Sequence, residues 1–360
     1  MTWAALAGPL AALPGLSNQA LTLLFTALAV FALLWGFERY RTTFSRTELG
    51  VSLLVAVGLL LVAFAPGLVG LVGDLFNVES RFIFLQIVVN AVFLFLLLYL
   101  IDAVGASQAT VGELTRGLTA QQAPDPDPET AADEQTLYAV IPAYNEEDTI
   151  GDVLASLPET VDGHAVRAVV VSDGSEDRTT QVARRHDAIV VEHPINQGQG
   201  GSLKTGFQIA IRHGADIVVT MDADGQHPAD QLPELVAPIT AEEADYVLGS
   251  RYRGKDQSGN SMTRQSGIRV FTWLINRLAK TDISDCTNGY RAIRGSRLPE
   301  LTLTEERFSA PELIIESRKN GLRIREVPVT IREREAGETK KPKLGYAVGL
   351  MRTIFITWIR

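Results

Sequence analysis

The chain has 360 residues, with 33 basic against 42 acidic side chains and a formal net charge of −9. That balance excludes the broadly basic surface of a nucleic-acid binder. The one cysteine, Cys286, excludes an internal disulfide and any cysteine-based metal centre.

The length suits about two domains, and the composition divides accordingly. Residues 1–103 are mostly apolar and contain no lysine, whereas residues 137–340 mix short apolar runs with charge. The first part, 1–103, reads as a membrane module. Residues 20–36, 51–72 and 82–101 are uncharged and apolar, each close to the roughly 20 residues that cross a bilayer as a helix. The second run holds Pro66 and Gly67 and is expected to kink. Residues 1–19 carry no Lys or Arg, so they lack the basic start of a signal peptide. Arg39, Arg41 and Arg46 follow the first run, against Arg81 alone before the third. Basic loops stay inside, which implies a multi-pass cell-membrane protein with everything after residue 103 in the cytoplasm.

Residues 104–136 read as a linker. The Pro-rich, acidic stretch Ala123-Pro-Asp-Pro-Asp-Pro, then Glu129, Asp133 and Glu134, cannot bury a core and is expected to be extended.

From residue 137 to 343 the pattern is that of a soluble α/β domain. Segments 137–142, 168–172, 188–192, 217–221 and 246–249 read as strands, and 147–157, 177–185, 201–213 and 229–239 as helices. This alternation predicts a mainly parallel sheet, with ligands beyond the carboxyl ends of its strands. Four successive strand ends carry polar, Gly-rich segments: Pro142-Ala-Tyr144-Asn145-Glu146, Ser172-Asp173-Gly174-Ser175, Asn196-Gln-Gly-Gln-Gly-Gly-Ser202 and Asp222-Ala-Asp224-Gly-Gln226-His227. Together they predict one composite site.

The pair Asp222 and Asp224 leaves an apolar strand. Two carboxylates so close repel unless a cation joins them, and a hard ion with oxygen ligands, Mg²⁺ or Mn²⁺, is the natural choice. Gln226 offers a third oxygen. The competing reading is an Asp helix cap. The segment 196–202 departs from dinucleotide-fingerprint spacing. It reads instead as a loop whose glycines let backbone approach a ligand, or as a flexible turn. The histidines show no ligand spacing, and His227 reads as a shaping residue.

These motifs, in their order and spacing, resemble glycosyltransferase family 2 over about residues 137–344, and within it the dolichyl-phosphate mannose or glucose synthase group. The resemblance implies a GT-A fold and inverting transfer of a hexose from a UDP- or GDP-sugar to dolichyl or polyprenyl phosphate. It implies that Pro142, Tyr144, Asn145, Glu146, Asp173 and Gly174 hold the nucleotide, that Asp222, Asp224 and Gln226 hold the metal, and that Asp222, Asp224 and Arg251 are catalytic. Segments 249–251, 288–291 and 332–340 also match the group. Two positions depart from it: Ser172-Asp173 stands where many members have two aspartates, and Gln199 where a basic residue is common.

No Glu or Asp pair in the second half suggests a base. A phosphate acceptor explains this, because a phosphate monoester is largely dianionic at neutral pH and needs placement rather than deprotonation. Arginine suits that task, so Arg251, Arg264, Arg291, Arg334 and Lys340, with Ser266, are the expected acceptor-phosphate contacts. The apolar tail 344–360, preceded by Lys340-Lys-Pro-Lys343, reads as a helix on the anionic bilayer surface, with a plain packing helix as the competing reading. The chain is compatible with a homo-oligomer. Two alternatives are a polysaccharide synthase acting on a sugar hydroxyl and a nucleotide-binding subunit of a lipid-linked sugar transporter. The first lacks its Q-x-x-R-W motif here, and the second has no use for the metal pair.

Overall fold

The computed structural model describes residues 18–43, 46–65, 81–126, 134–258, 262–333 and 343–360. The chain forms two compact units, Met1–Gly105 and Ala106–Arg360.

In the first unit α1 (Asn18–Thr43) packs on α2 (Arg46–Phe64). The small side chains of Ala29, Ser52 and Ala56 are buried, while Leu23, Phe31, Leu34, Leu54 and Phe64 are exposed. Large apolar side chains outside and small ones inside invert the order of a water-soluble core. Residues 66–72 of the expected second span lie outside the described residues. One helix among the described residues, Val92–Gln121, is long and apolar enough to cross a membrane by length and composition; Thr22–Glu38 and Leu49–Leu61 are shorter apolar helices.

That long helix belongs to α3 (Arg81–Gln121), which differs from the linker expected to begin at residue 104. Residues 104–111 are exposed, and from Gly112 onward the helix has a surface to pack on. Arg116, Thr119, Ala120 and Ala123 are buried, and the two alanines join a core cluster of the second unit. Just beyond the helix, Arg212 and His213 hold the carbonyls of Ala123 and Pro124.

The second unit is built on an eight-stranded sheet, comprising β1 (Thr136–Ala143), β2 (Thr160–Val161), β3 (His164–Ser172), β4 (Ala188–Glu192), β5 (Ile217–Thr220), β6 (Tyr246–Asp256), β7 (Arg291–Arg294) and β8 (Ile324–Ile331). The order is β3-β1-β5-β7-β6-β8, with β2 and β4 both paired to β3. β1, β3, β4 and β5 are mutually parallel, β7 runs against β5 and β6, and β8 is parallel to β6. Six of the eight strands run one way, as the mainly parallel pattern predicts, and β2 and β7 run against them and make the sheet mixed. The short run Arg291–Arg294 carries too little apolar pattern to announce an antiparallel strand.

Helices α4 (Ile150–Ala155), α5 (Thr179–Ala183), α6 (Gly198–Arg212), α7 (Leu232–Thr240), α8 (Met262–Ala279), α9 (Ser309–Lys319) and α10 (Lys343–Ile359) complete the described residues' regular structure. Side chains of β1 alternate between two cores: Leu137, Ala139 and Ile141 enter one, Tyr138 and Val140 the other, as the two faces of a doubly covered sheet require. The helical tail is observed as α10, whose Leu350 and Ile354 are buried while Val348, Trp358 and Ile359 are exposed.

Gly206 sets how closely α6 lies on β1, since a Cβ there would sit 2.2 Å from Val140 Cγ1. On an open helix face, Gly→Ala stabilises by up to about 1 kcal/mol. Here overpacking reverses the sign, and Gly206→Ala is expected to destabilise by about 1–3 kcal/mol, read as a lower Tm of the full chain. A raised Tm would refute this packing account.

Candidate active site

The parallel strands β1, β3 and β5 all end at one edge of the sheet, so the segments after Ala143, Ser172 and Thr220 converge there. The antiparallel β7 adds a contribution by opposite means. Its first residue, Arg291, pairs with Thr220, so the segment leading into it, Asn288-Gly289-Tyr290, arrives at the same edge.

Asp222 and Asp224 follow β5. Asp224 is buried and its Oδ1 accepts the Gln226 main-chain N–H at 3.1 Å, across a turn at Gly225 with φ 75°. Asp222 is partly open, and its Oδ1 accepts from Gln199 Nε2 at 3.0 Å. The main-chain N–H of Asp222 donates to His227 Nδ1 at 2.9 Å. Nδ1 is therefore the unprotonated nitrogen of this ring, and Nε2 carries the proton toward Asn288 Oδ1 at 3.1 Å. Nε2 stands 3.8 Å from Asp222 Oδ2, too far for a hydrogen bond. The ring stacks on Tyr290 at 4.9 Å and 8°, and Tyr290 donates its hydroxyl to the Pro228 carbonyl at 2.9 Å. Gly289 leaves room for Asp222, since a Cβ there would lie 3.0 Å from Asp222 Oδ1. His227 is thus a shaping residue.

Among the described residues no cluster of three His, Cys, Asp or Glu forms around this pair. Two carboxylates alone make an incomplete cage. That is the donor set suited to Mg²⁺ or Mn²⁺, which keep water and take phosphate oxygens from a ligand. Gln226 spends its side-chain N–H on the Arg332 carbonyl at 3.0 Å, and its own carbonyl accepts from Arg332 N–H at 3.0 Å. It ties the carboxylate loop to the end of β8.

The segments after β1 and β3 lock together. Asn145 adopts φ 53°, and its Oδ1 accepts the Glu176 N–H at 2.8 Å. Glu146 N–H donates to Thr179 Oγ1 at 2.8 Å. Asp173 is buried and its Oδ1 accepts both Gln197 N–H at 2.7 Å and His193 Nδ1–H at 2.8 Å. Gly174 has φ 70° and presses on the Asn196 main chain, a place where a side chain would be strained. Pro142 lies within β1, and the Tyr144 ring is exposed beside this cluster. The nucleotide candidates therefore share one strand-end surface with the carboxylate pair.

The Gly-rich segment differs from its expected role. Its glycines do receive an approaching backbone, but that backbone is this chain's own. Gly200 and Gly201 donate their N–H groups to the Glu306 carbonyl, at 2.6 and 3.3 Å. A Cβ on Gly198 or Gly200 would meet the carbonyls of Glu306 or Glu305 at 2.6 and 2.5 Å.

The expected acceptor cations divide. Arg291 is 1 % exposed, and its guanidinium serves the carbonyls of Asn288, Ala310 and Cys286 and the Tyr246 hydroxyl. It corrects the expectation of a phosphate contact: a group closed in by carbonyls holds the 286–291 turn. Arg251 is also buried, with Nε on Asp285 Oδ2 at 2.6 Å, so most of its charge is answered within the protein. Asp285 and Ser284 are held in turn by Glu326. Arg264 and Ser266 are exposed near the start of α8, while Arg334 and Lys340 lie outside the described residues. Burial pushes the Cys286 thiol up to about 11, which keeps it protonated and excludes a nucleophile. Sequence reading passed over Gln199 as a ligand-orienting group and His193, Asp285 and Glu326 as braces, because their partners are distant in the chain.

A family model described as glycosyl transferase family 2 matches residues 138–301. A dolichyl-phosphate hexose transferase of Haloferax volcanii is 36 % identical over 204 residues, covering 57 % of this chain and 86 % of that protein. A UDP-N-acetylglucosamine–dolichyl-phosphate N-acetylglucosaminyltransferase of Methanococcus voltae is 31 % identical over 217 residues, covering 54 % of this chain and 85 % of that protein. Glucosyl-3-phosphoglycerate synthase from Mycobacterium tuberculosis, solved with Mn²⁺, uridine diphosphate and phosphoglyceric acid, is 25 % identical, with a TM-score of 0.51 over 64 % of this chain and 81 % of that one.

The brace on Asp222 is testable without an assay of activity. His227→Phe keeps the ring stack but leaves the Asp222 N–H without its acceptor, an expected loss of about 1–3 kcal/mol. His227→Asn offers an oxygen near the place of Nδ1 and should recover part of the loss in Tm. Equal Tm values for the two variants would refute the hydrogen-bond account.

Proposed function

The chain belongs to glycosyl transferase family 2 and is a glycosyltransferase of GT-A fold; from that premise we propose that it transfers a hexose from a UDP- or GDP-sugar to dolichyl or polyprenyl phosphate, with inversion, at the cytoplasmic face of a membrane. The observation that carries this reading is the oriented pair Asp222 and Asp224 at the edge where the nucleotide candidates also lie. The relatives named for dolichyl-phosphate acceptors support the lipid phosphate.

In this reading Tyr144, Asn145, Glu146, Asp173 and Gly174, with Pro142 behind them, hold the nucleotide. Asp222 and Asp224, with Gln226 as a further oxygen, hold Mg²⁺ or Mn²⁺. The bound ion supplies neutralisation of the diphosphate as it leaves. Gln199 and His227 keep Asp222 in place so that no reorganisation is needed on binding. The acceptor phosphate is already anionic, so the protein provides cations rather than a base. Arg264, Arg334 and Lys340, with Ser266, take that role, while Arg251, paired with Asp285 and Thr287, braces the turn that holds those two partners.

Membrane attachment follows from the first unit. We read its helices as a three-span module, supported by the outward-facing Leu23, Phe31, Leu34, Leu54, Phe64 and Phe93 and by the basic residues after the first span. The exposed Val348, Trp358 and Ile359 of α10 fit a helix lying on the lipid surface.

The deciding assay offers labelled nucleotide sugars to membranes containing the protein. Label is expected in an organic-soluble glycolipid, and formation of water-soluble glycan alone would sink the reading. Asp224→Asn is expected to cut transfer about a hundredfold or more, and a chelator to stop it reversibly. Transfer that survives chelation would refute the metal assignment. Arg334→Ala is expected to raise the KM for lipid phosphate about tenfold with nucleotide binding intact, and unchanged acceptor kinetics would remove Arg334 from the site.

A further inference from the structure

The Gly-rich start of α6 joins both halves of the site. Gln197 donates its main-chain N–H to Asp173 Oδ1 at 2.7 Å, and two residues on Gln199 donates to Asp222 Oδ1 at 3.0 Å. The strap 304–308 lies across this start, capping it through the Glu306 carbonyl. The strap is gripped from the other side by α3. Arg116 is 8 % exposed, and its Nη1 donates to Glu306 Oε1 at 3.0 Å and reaches Gln197 Oε1 at 3.5 Å. Gly112, one turn earlier, leaves the space: a Cβ there would lie 2.9 Å from both of those oxygens.

We propose that Arg116 is a positioning residue for the donor site, clamping the 304–308 strap onto the start of α6 and thereby setting Gln199 against Asp222 and Gln197 against Asp173. Arg116 touches neither carboxylate. It acts through two intervening contacts, a charge-assisted bond to Glu306 and the Glu306 carbonyl on Gly200 N–H at 2.6 Å. The helix that carries it lies outside the matched family region, 138–301. A segment added N-terminal to the transferase core thus takes part in shaping its donor pocket. A docking contact alone would need only an ion pair at the helix surface. Here the guanidinium is buried, a glycine one turn earlier on the same helix makes room for its partners, and the contact closes on the segment 197–199, which meets two site carboxylates.

The inference rests on the transfer reading above, and its test separates the two. The full chain in detergent is titrated with UDP, or with GDP where that is the diphosphate it takes, in the presence of Mn²⁺ by calorimetry, alongside kcat and KM for the nucleotide sugar. Arg116→Met is expected to weaken UDP binding about tenfold, the size of effect seen when a group supporting a metal ligand is lost. Donor KM should rise in step, with the KM for lipid phosphate unchanged. Gly112→Ala should act in the same direction with no charge altered, and Arg116→Lys should recover part of the loss. Leu114→Ala, on the same helix at a side chain 63 % exposed, should leave UDP affinity at its wild-type value. If Arg116→Met fails to fold, Glu306→Gln tests the same bond from a side chain that is 41 % exposed. Wild-type UDP affinity in folded Arg116→Met and Gly112→Ala, whatever their Tm, would overturn the clamp. Wild-type protein that binds UDP with Mn²⁺ but forms no glycolipid would overturn the transfer reading and leave the clamp standing on its binding data. Wild-type protein that binds neither UDP nor GDP with Mn²⁺ would overturn both.

Discussion

Two carboxylates one residue apart repel each other, and the second unit is arranged so that both nonetheless stay in place at the end of β5. Asp224 is buried on a glycine turn, while Asp222 is held by Gln199 on one oxygen and by His227 through its main chain. Such a pair is unfavourable by itself. In the proposed reading a cation and a diphosphate complete it. The surrounding hydrogen bonds from Gln199, His227 and Gln226 hold the pair in its present arrangement.

Much of the apparatus around that pair supports other residues rather than touching substrate. The chain's glycines illustrate this. Gly198 and Gly200 receive the 305–306 backbone, and Gly289 makes way for Asp222. Polar, Gly-rich segments at strand ends commonly suggest ligand contact, yet here a large share of their open space is filled by the protein. The arginines behave likewise. Arg291 and Arg251 answer carbonyls and a carboxylate inside the fold, whereas Arg264 is exposed.

The antiparallel strand β7 gives the site its last wall. A parallel strand sends its carboxyl end to the active edge, and an antiparallel one sends its amino end. By this reversal Asn288, Gly289 and Tyr290 arrive next to Asp222 and His227. On the far side, α3 closes the strap on the Gly-rich start of α6, so that the donor face is bounded by elements from both ends of the second unit.

Sequence alone determined the α/β alternation from residue 137, the apolar helices before it and the strand-end motifs. These depend on local periodicity and on residue types whose chemistry is fixed wherever they sit. The strands expected at 137–142 and 168–172 fall within β1 and β3, because each is an apolar run that a doubly covered sheet buries, and 188–192 coincides with the half-buried strand β4. Tertiary structure alone decided that 112–121 is helix rather than linker, since those residues pack on a surface offered by residues far along the chain. It also decided that Arg291 is scaffold, that the Gly-rich segment packs on Glu306, and that Gln199 reaches Asp222. Most of these pairings cross a long stretch of sequence, though Arg291 also grips the nearby Asn288 and Cys286 carbonyls, and no local pattern encodes which partner a buried guanidinium or amide will find.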